Sequence, residues 1–452
     1  MKRDERKKEP SASRGSKRPL RMNLVRAAVL EVYAAVRSEG QLADRALDRV
    51  LRRERALFSG ERRAVGEAVF GLLRKERLLD FALFGGDPPR PAPSFMYAAR
   101  LAAFEVLEGA APAATASALG LPASLVPRLE RVRDPLPANL SPKERVAIEG
   151  SLPDFLAERL VADLGAESAL AFARAISTRA PLTLRVNTLK TSRDALIQRL
   201  SEEGVAAKPT RLSPLGLIVE ERINVFALPS FKEGLFEVQD EGSQLLSLIV
   251  GARPGERIAD TCAGAGGKTL ALAAAMGNKG ELWAMDVGPE RLDELAKRAR
   301  RAGVHNVRVK PIPGGAAADR ALKGLAAKLD RVLVDAPCTG LGALRRSPDA
   351  RYRFEPEDFA RHATRQRELL ERFSRLVRPG GRLVYATCSV AREEDEAVVE
   401  AFLAATPGFR VVPVREALPP EARAQLEGPY LVLLPHVHGT DGFFAAVLER
   451  VE

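Results

Sequence analysis

Asp260-Thr-Cys-Ala-Gly264-Ala-Gly266-Gly267-Lys268-Thr269 is the stretch whose reading decides the fold. It follows a short apolar run, Arg257–Asp260, and leads directly into an Ala/Leu-rich helical pattern over 268–276. Glycines between a strand and a helix let the backbone turn sharply and approach a ligand closely. The free N–H groups that open the helix then face that ligand. Gly-Lys-Thr closes the motif as in a phosphate-binding P-loop, but that template requires glycine where Cys262 stands. The dinucleotide fingerprint requires G-x-G-x-x-G, whereas the spacing here is G-x-G-G.

The strand-to-helix rhythm continues downstream. Strand-like runs at Glu281–Asp286, Val307–Lys310, Arg331–Ala336 and Gly381–Ala386 alternate with helical patterns over 289–302, 316–328, 357–377 and 392–405. Two more strand candidates lie at 409–414 and 443–450. This alternation predicts a parallel, doubly wound α/β domain over 234–452, with ligands outside the carboxyl ends of its strands. Upstream, amphipathic runs begin at Asn23 and recur at 41–57, 60–83, 94–109 and 113–132, with a Pro/Gly loop at Gly85–Ser94. They predict an all-α domain over 23–133. A Pro-bearing connector, Asp134–Pro142, leads to a small α+β region over 141–233. Its helices are expected at 152–176 and 193–204, and its strands at Leu182–Asn187 and Leu217–Val219.

Charge and cysteine usage narrow the chemistry. The 452 residues carry a formal charge of +11, which favours a polyanionic partner. Residues 1–21 alone hold nine Lys or Arg against three acids, and 1–22 is expected to be a disordered basic tail. No uncharged apolar run is long enough to span a membrane, and the N-terminus lacks the apolar centre of a secretory signal. The expectation is a cytoplasmic protein, with monomer as the default. The cysteines Cys262, Cys338 and Cys388 share no C-x-x-C spacing, and the four histidines offer no zinc pattern, so no metal is expected. In a reducing compartment these thiols stay free.

All three cysteines fall at predicted strand ends. Cys262 follows the first strand, Cys338 closes Asp335-Ala-Pro-Cys338, and Cys388 lies in Ala386-Thr-Cys388-Ser. Asp286 ends the second strand, 26 residues after Asp260, where an acid can bind a ribose diol. Two thiols beside an adenosine-bearing cofactor suit one reaction. A thiolate adding to carbon 6 of a pyrimidine makes carbon 5 nucleophilic enough to take an electrophilic methyl group. Lys268 is a candidate source of the positive field that favours a thiolate. Asp335 is a candidate partner for ring nitrogen 3 or the exocyclic amine, and Cys338 a candidate for assisting release.

On these residues the sequence resembles the Sun (Fmu) family of RNA cytosine-5 methyltransferases, especially its bacterial 16S ribosomal RNA members. The resemblance covers most of the chain. Pro181-Leu-Thr-Leu-Arg185-Val-Asn187-Thr, Phe236-Glu-Val-Gln239-Asp240-Glu-Gly-Ser243 and His438-Gly-Thr-Asp441-Gly-Phe-Phe444 carry it outside the cysteine motifs. It implies a NusB-like RNA-binding domain at 23–133 and an S-adenosyl-L-methionine-dependent methyltransferase domain at the C-terminus. It implies Cys388 as nucleophile and Cys338 as the thiol of product release. It also implies cofactor contacts from Cys262, Ala263, Gly264, Ala265, Gly266, Gly267 and Lys268, and from Asp286 and Asp335. Two departures stand out. The loop reads Ala-Gly-Ala-Gly-Gly where many members have Ala-Ala-Pro-Gly-Gly. After the third strand, Lys310-Pro-Ile-Pro-Gly-Gly315-Ala316 lacks the usual cofactor-contacting acid before Asp319. Either Asp319 replaces that acid or the contact is missing.

Arg345, Arg346, Arg351 and Arg353, with Arg185 from the matching upstream stretch, are candidate contacts to RNA phosphates. Aromatic residues are sparse at 5%, which favours recognition of shape and phosphate over stacking. Two rival functions stay open at this level: a non-catalytic RNA-binding or assembly factor that keeps the fold, and a methyltransferase acting on protein or a small molecule. Within the enzyme reading, transfer RNA is the alternative to ribosomal RNA.

Overall fold

Apolar residues fill successive positions of the central strands, as strands covered on both faces require. Val332, Val334, Leu383 and Tyr385 enter one hydrophobic cluster. Their chain neighbours Leu333, Val384 and Ala386 enter the other. Each strand therefore feeds two cores in alternation, because successive side chains point to opposite faces.

The structure, a computed structural model, describes residues 19–86, 93–221, 223–423 and 425–452. Most of the expected disordered tail and of the loop Gly85–Ser94 lies outside the described residues. The chain divides into two compact units, Met1–Leu73 with Leu79–Asp134, and Arg74–Leu78 with Pro135–Glu452.

The first unit is helical, with helices at Met22–Ser38, Ala43–Arg53, Ser59–Phe84, Pro93–Leu107, Pro112–Ala118 and Val126–Glu130. Val25, Val29, Val32 and Val36 are buried along one face of the first helix, at the helical spacing read from the sequence. Inside this unit Arg100 grips Asp80 with two bonds of 2.7 Å. A β-carbon on Gly71 would lie 2.2 Å from the Phe104 ring, so glycine is what lets these two helices meet. The helix expected over 113–132 breaks into pieces near Gly120, whose φ of +66° ends the first.

The second unit opens with helices Pro142–Gly150, Asp154–Leu164 and Ala166–Ile176. The first was not expected; Ser141 caps it, accepting from the Glu144 N–H. The last two were expected as one helix, and Gly165 at φ +77° separates them. Strands β1 (Leu182–Val186), β2 (Ala207–Pro209), β3 (Gly216–Val219) and β4 (Phe236–Val238) form an antiparallel sheet in the order β2-β3-β1-β4. The pairing of Leu184 with Val238 takes β4, expected within the α/β domain, into this smaller sheet.

The larger sheet contains β5 (Arg257–Asp260), β6 (Glu281–Asp286), β7 (Val307–Pro311), β8 (Leu329–Asp335), β9 (Val377–Thr387), β10 (Phe409–Val412), β11 (Leu431–Leu433) and β12 (Phe443–Arg450). Its order is β10-β12-β9-β8-β5-β6-β7, with β11 beside β12. The five strands from β9 to β7 are parallel, as expected. β12 is antiparallel to both β9 and β10, so the sheet is mixed rather than wholly parallel. Among the described residues, only short helices and β11 lie between β10 and β12, rather than the long helix usual in a parallel crossover. The chain leaves β5 toward β6 and β7, then returns to β8 on the other side, creating a switch point at the strand ends.

The loops after β8, β9 and before β12 interlock through two glycines. Gly342 N–H donates to the Cys388 carbonyl (2.9 Å) and Gly442 N–H to the Gly342 carbonyl (2.8 Å). A β-carbon on Gly342 would lie 2.2 Å from the Gly442 oxygen. Gly342→Ala is therefore expected to cost about 1–3 kcal/mol. In contrast, Gly408→Ala, whose β-carbon would meet nothing nearer than 3.9 Å, should leave stability nearly unchanged. Thermal unfolding of the two variants checks this; equal melting temperatures would refute the interlock.

Candidate active site

The carboxyl edge of the larger sheet collects the residues singled out in the sequence. At the end of β5, Gly264 (φ +52°) and Gly266 (φ +88°) take the left-handed backbone that favours glycine. A β-carbon at Gly266 would strike Leu295 at 2.5 Å, whereas one at Gly264 would meet nothing within 4 Å. The loop is thus packed on one side and open on the other. The helix Gly267–Ala275 starts immediately, with Gly266 as its N-cap.

Two acids shape this loop. Asp286, buried at the end of β6, accepts from Gly264 N–H (2.9 Å) with one oxygen and from Gly288 N–H (2.8 Å) with the other. Asp260 is buried at the end of β5, and its Oδ2 accepts from the Thr269 hydroxyl at 2.7 Å. Its Oδ1 is buried without a partner. Burial pushes this carboxyl up to about 7, against the Thr269 hydrogen bond.

The two thiols of the paired motifs meet. Cys338 follows β8, Cys388 follows β9, and their sulfurs lie 3.3 Å apart. The hydrogen bond to Cys388, then burial, drives the Cys338 thiol well above its ordinary value. Lys268 Nζ donates to Asp335 Oδ2 at 2.6 Å. Burial alone would lower the Lys268 value, but the charge and hydrogen bond of Asp335 raise it, with Asp260 and Cys388 adding to the effect. A fixed ammonium therefore stands beside the Asp335 carboxylate. Cys262 differs: burial, then Asp335, Asp260 and Asp286, push its thiol upward, and it packs against one core cluster. That environment suits an inert thiol.

The structure adds two acids that sequence reasoning missed. Glu394 is fully buried and accepts from Thr339 N–H (2.9 Å), the Thr339 hydroxyl (2.5 Å) and the Ser389 hydroxyl (2.6 Å). Asp395 accepts from the Thr387 hydroxyl at 2.5 Å, and burial raises its carboxyl well above the usual range. In the sequence they belong to Arg392-Glu-Glu-Asp-Glu396, a run that reads as a solvated helix face. Nothing in its pattern separates the buried acids from the exposed ones.

The arginines proposed as phosphate contacts need correction. Arg351 is fully buried and spends its guanidinium on the carbonyls of Gly150 (2.6 Å) and Ile176 (3.1 Å). Arg345 is buried and bonded to Asp441 (2.5 Å) and the Gly439 carbonyl (2.8 Å). Arg185, on β1, is buried against the Gly267 carbonyl at 2.6 Å and also bonds Gln239. Burial leaves these three no free face for RNA. Arg346 is partly exposed while pairing with Asp441 and, at 2.7 Å, Asp240. Arg353 is more open, on Asp349 at 2.6 Å. Asp319, considered as a replacement cofactor contact, is about half exposed and accepts from Arg372 Nε at 3.0 Å.

Comparison with known proteins agrees with this arrangement. Residues 247–449 match the family described as 16S rRNA methyltransferase RsmB/F. Residues 152–226 match the ferredoxin-like domain of the same group. A probable ribosomal RNA small subunit methyltransferase B of Synechocystis sp. is 31% identical over 428 residues, covering 90% of this chain and 95% of that protein. One from Bacillus subtilis is 30% identical, covering 72% of this chain and 70% of its own length. The crystal structure of a protein named PH0851 is similar with a TM-score of 0.76 and 28% identity, over 96% of this chain and all (100%) of that one.

The raised Asp260 value has a measurable consequence. Its folded-state value of about 7 lies above the 3.8 of a free carboxyl, so the folded protein holds a proton there that the unfolded chain has lost. That stability is fully present below the free value and is lost as pH rises toward 7. Asp260→Asn removes the titration while keeping an acceptor for Thr269. Its melting temperature relative to the parent should climb from acidic pH to about 7 and then level. A difference that does not vary with pH would contradict the assignment.

Proposed function

This chain belongs to the RsmB/F family of 16S rRNA methyltransferases, and from that premise we propose that it methylates carbon 5 of a cytosine in 16S rRNA through a covalent adduct on Cys388. The family's members are S-adenosyl-L-methionine-dependent RNA cytosine methyltransferases, and this chain is one. The observation that carries the mechanism is the pair of sulfurs 3.3 Å apart on the strand edge that also bears Lys268 and Asp335.

The proposed roles follow from the chemistry of each side chain. Cys388 adds through sulfur to carbon 6 of the base, favoured by the neighbouring Lys268 ammonium. Asp335, oriented by its bond to Lys268, meets ring nitrogen 3 or the exocyclic amine as charge shifts onto the ring. S-adenosyl-L-methionine, when bound, supplies the electrophilic methyl group that carbon 5 takes. Water then takes the carbon 5 proton, the carbon 6–sulfur bond breaks as the 5,6 double bond re-forms, and the Cys338 thiol donates a hydrogen bond to the departing Cys388 thiolate.

The cofactor reading rests on the fit of the glycine loop. Gly264 leaves its ligand side open, Asp286 holds the loop, the N-terminus of helix Gly267–Ala275 supplies unsatisfied N–H groups, and Asp260 Oδ1 is an orphaned acceptor. Asp286 is the proposed ribose partner, and residues 262–268 the proposed cradle. Arg346 and Arg353 are the remaining phosphate candidates. We place the reaction in the cytoplasm, where Cys338 and Cys388 stay reduced. Among the described residues, no helix is long and apolar enough to cross a membrane, and no cluster of three His, Cys, Asp or Glu side chains suits a metal ion.

Cys388→Ala should abolish methyl transfer to RNA while equilibrium dialysis shows S-adenosyl-L-methionine binding nearly intact. Retained turnover would remove the mechanism. Cys338→Ala should permit attack yet slow release, leaving RNA covalently attached on a denaturing gel. Absence of that adduct would dismiss the release role. Bisulfite sequencing of ribosomal RNA from cells with and without the protein identifies the cytosine.

A further inference from the structure

We propose that Glu394 is a positioning residue that holds the two cysteine-bearing turns together, keeping the Cys338 sulfur within reach of Cys388. The roles of the two thiols rest on the function proposed above; the geometry of the clamp does not.

A carboxylate removed entirely from water is costly unless donors replace its hydration. Glu394 has such donors, and they come from both turns. Oε1 accepts from Thr339 N–H and from Gln366 Nε2 (3.1 Å). Gln366 Nε2 also donates to the Pro337 carbonyl at 3.0 Å, so the turn Pro337–Thr339 is gripped on either side of Cys338. Oε2 accepts from the Thr339 hydroxyl and from the Ser389 hydroxyl, the residue after Cys388. Glu394 is itself held, since its own carbonyl accepts from Tyr385 OH at 2.5 Å on β9. One carboxylate therefore bridges two loops that are 50 residues apart in sequence and carry the facing sulfurs.

Shortening the side chain to Ala removes the bridge. Glu394→Gln keeps it: the amide oxygen faces the two N–H donors, and the amide nitrogen faces two hydroxyls, which can turn to accept. The first readout needs no RNA. Diamide, a thiol oxidant, takes one hydrogen from each of two neighbouring thiols and leaves a disulfide, detected by mass spectrometry of the linked Cys338 and Cys388 peptides. Closure in full-length Glu394→Ala should be roughly ten-fold slower than in the parent, and in Glu394→Gln within about three-fold, because small displacements of paired groups cost rate steeply. The reactivity of Cys262 should not change.

The second readout uses transcribed 16S rRNA and labelled S-adenosyl-L-methionine. Glu394→Ala should lower kcat about ten-fold with KM for the cofactor within about two-fold, and should accumulate the same covalent RNA adduct that is expected of Cys338→Ala. If Glu394→Ala does not fold, Thr339→Val, which removes one clamp bond at nearly constant volume, should slow closure in the same direction. Unchanged closure in a folded variant overturns the proposal. So does faster reaction of Cys262 alongside slower closure, since that marks general loosening. Should the parent methylate no cytosine, the functional reading falls, while the diamide result still decides the clamp.

Discussion

A carboxylate can leave water only where N–H and O–H groups take over its hydration, and this site is built on that constraint. Cys338 and Cys388 lie on irregular turns just past the ends of β8 and β9, beyond the ladder of strand hydrogen bonds. Buried acids supply the missing order. Asp286 gathers Gly264 and Gly288. Glu394 joins Thr339 to Ser389. Asp240 accepts from Gly242 N–H and, at the far end of the chain, from Asp441 N–H. Glu241 accepts from Leu212 and Ser213. Each of these carboxylates joins its own segment to one distant in sequence.

The same economy differentiates groups of one kind. Three cysteines share a strand edge, yet burial and neighbouring acids push the Cys262 thiol upward, while the Cys338 and Cys388 sulfurs touch each other. Burial alone would push the Lys268 value down, and the charge and hydrogen bond of Asp335 do most to raise it instead. Groups of one residue type are thus set apart by a few ångströms of environment.

The arginines show the opposite fate. A net charge of +11 invites the reading that basic side chains near the site face RNA. Arg351, Arg345 and Arg185 instead satisfy carbonyls and acids inside the protein. A guanidinium has five fixed donors, so it can knit several carbonyls at once where loops leave them unpaired. Arg185 carries this furthest, reaching from the smaller sheet to the carbonyl of Gly267 at the glycine loop.

Much of this was legible in the chain itself. Alternating strand and helix patterns located β5 to β9, and β12, within a few residues, and set Asp260, Asp286, Asp335 and Cys388 at strand ends. In a parallel sheet all such ends share one edge, so the gathering of acids and thiols there follows from local patterning alone. What local patterning could not decide was everything set by partners distant in sequence. The antiparallel β12 between β9 and β10, the passage of β4 into the smaller sheet, the burial of Arg351 and the capture of Glu394 all depend on segments tens to hundreds of residues away. A residue's type determines which bonds it can make; only the folded chain determines whether water or another segment makes them.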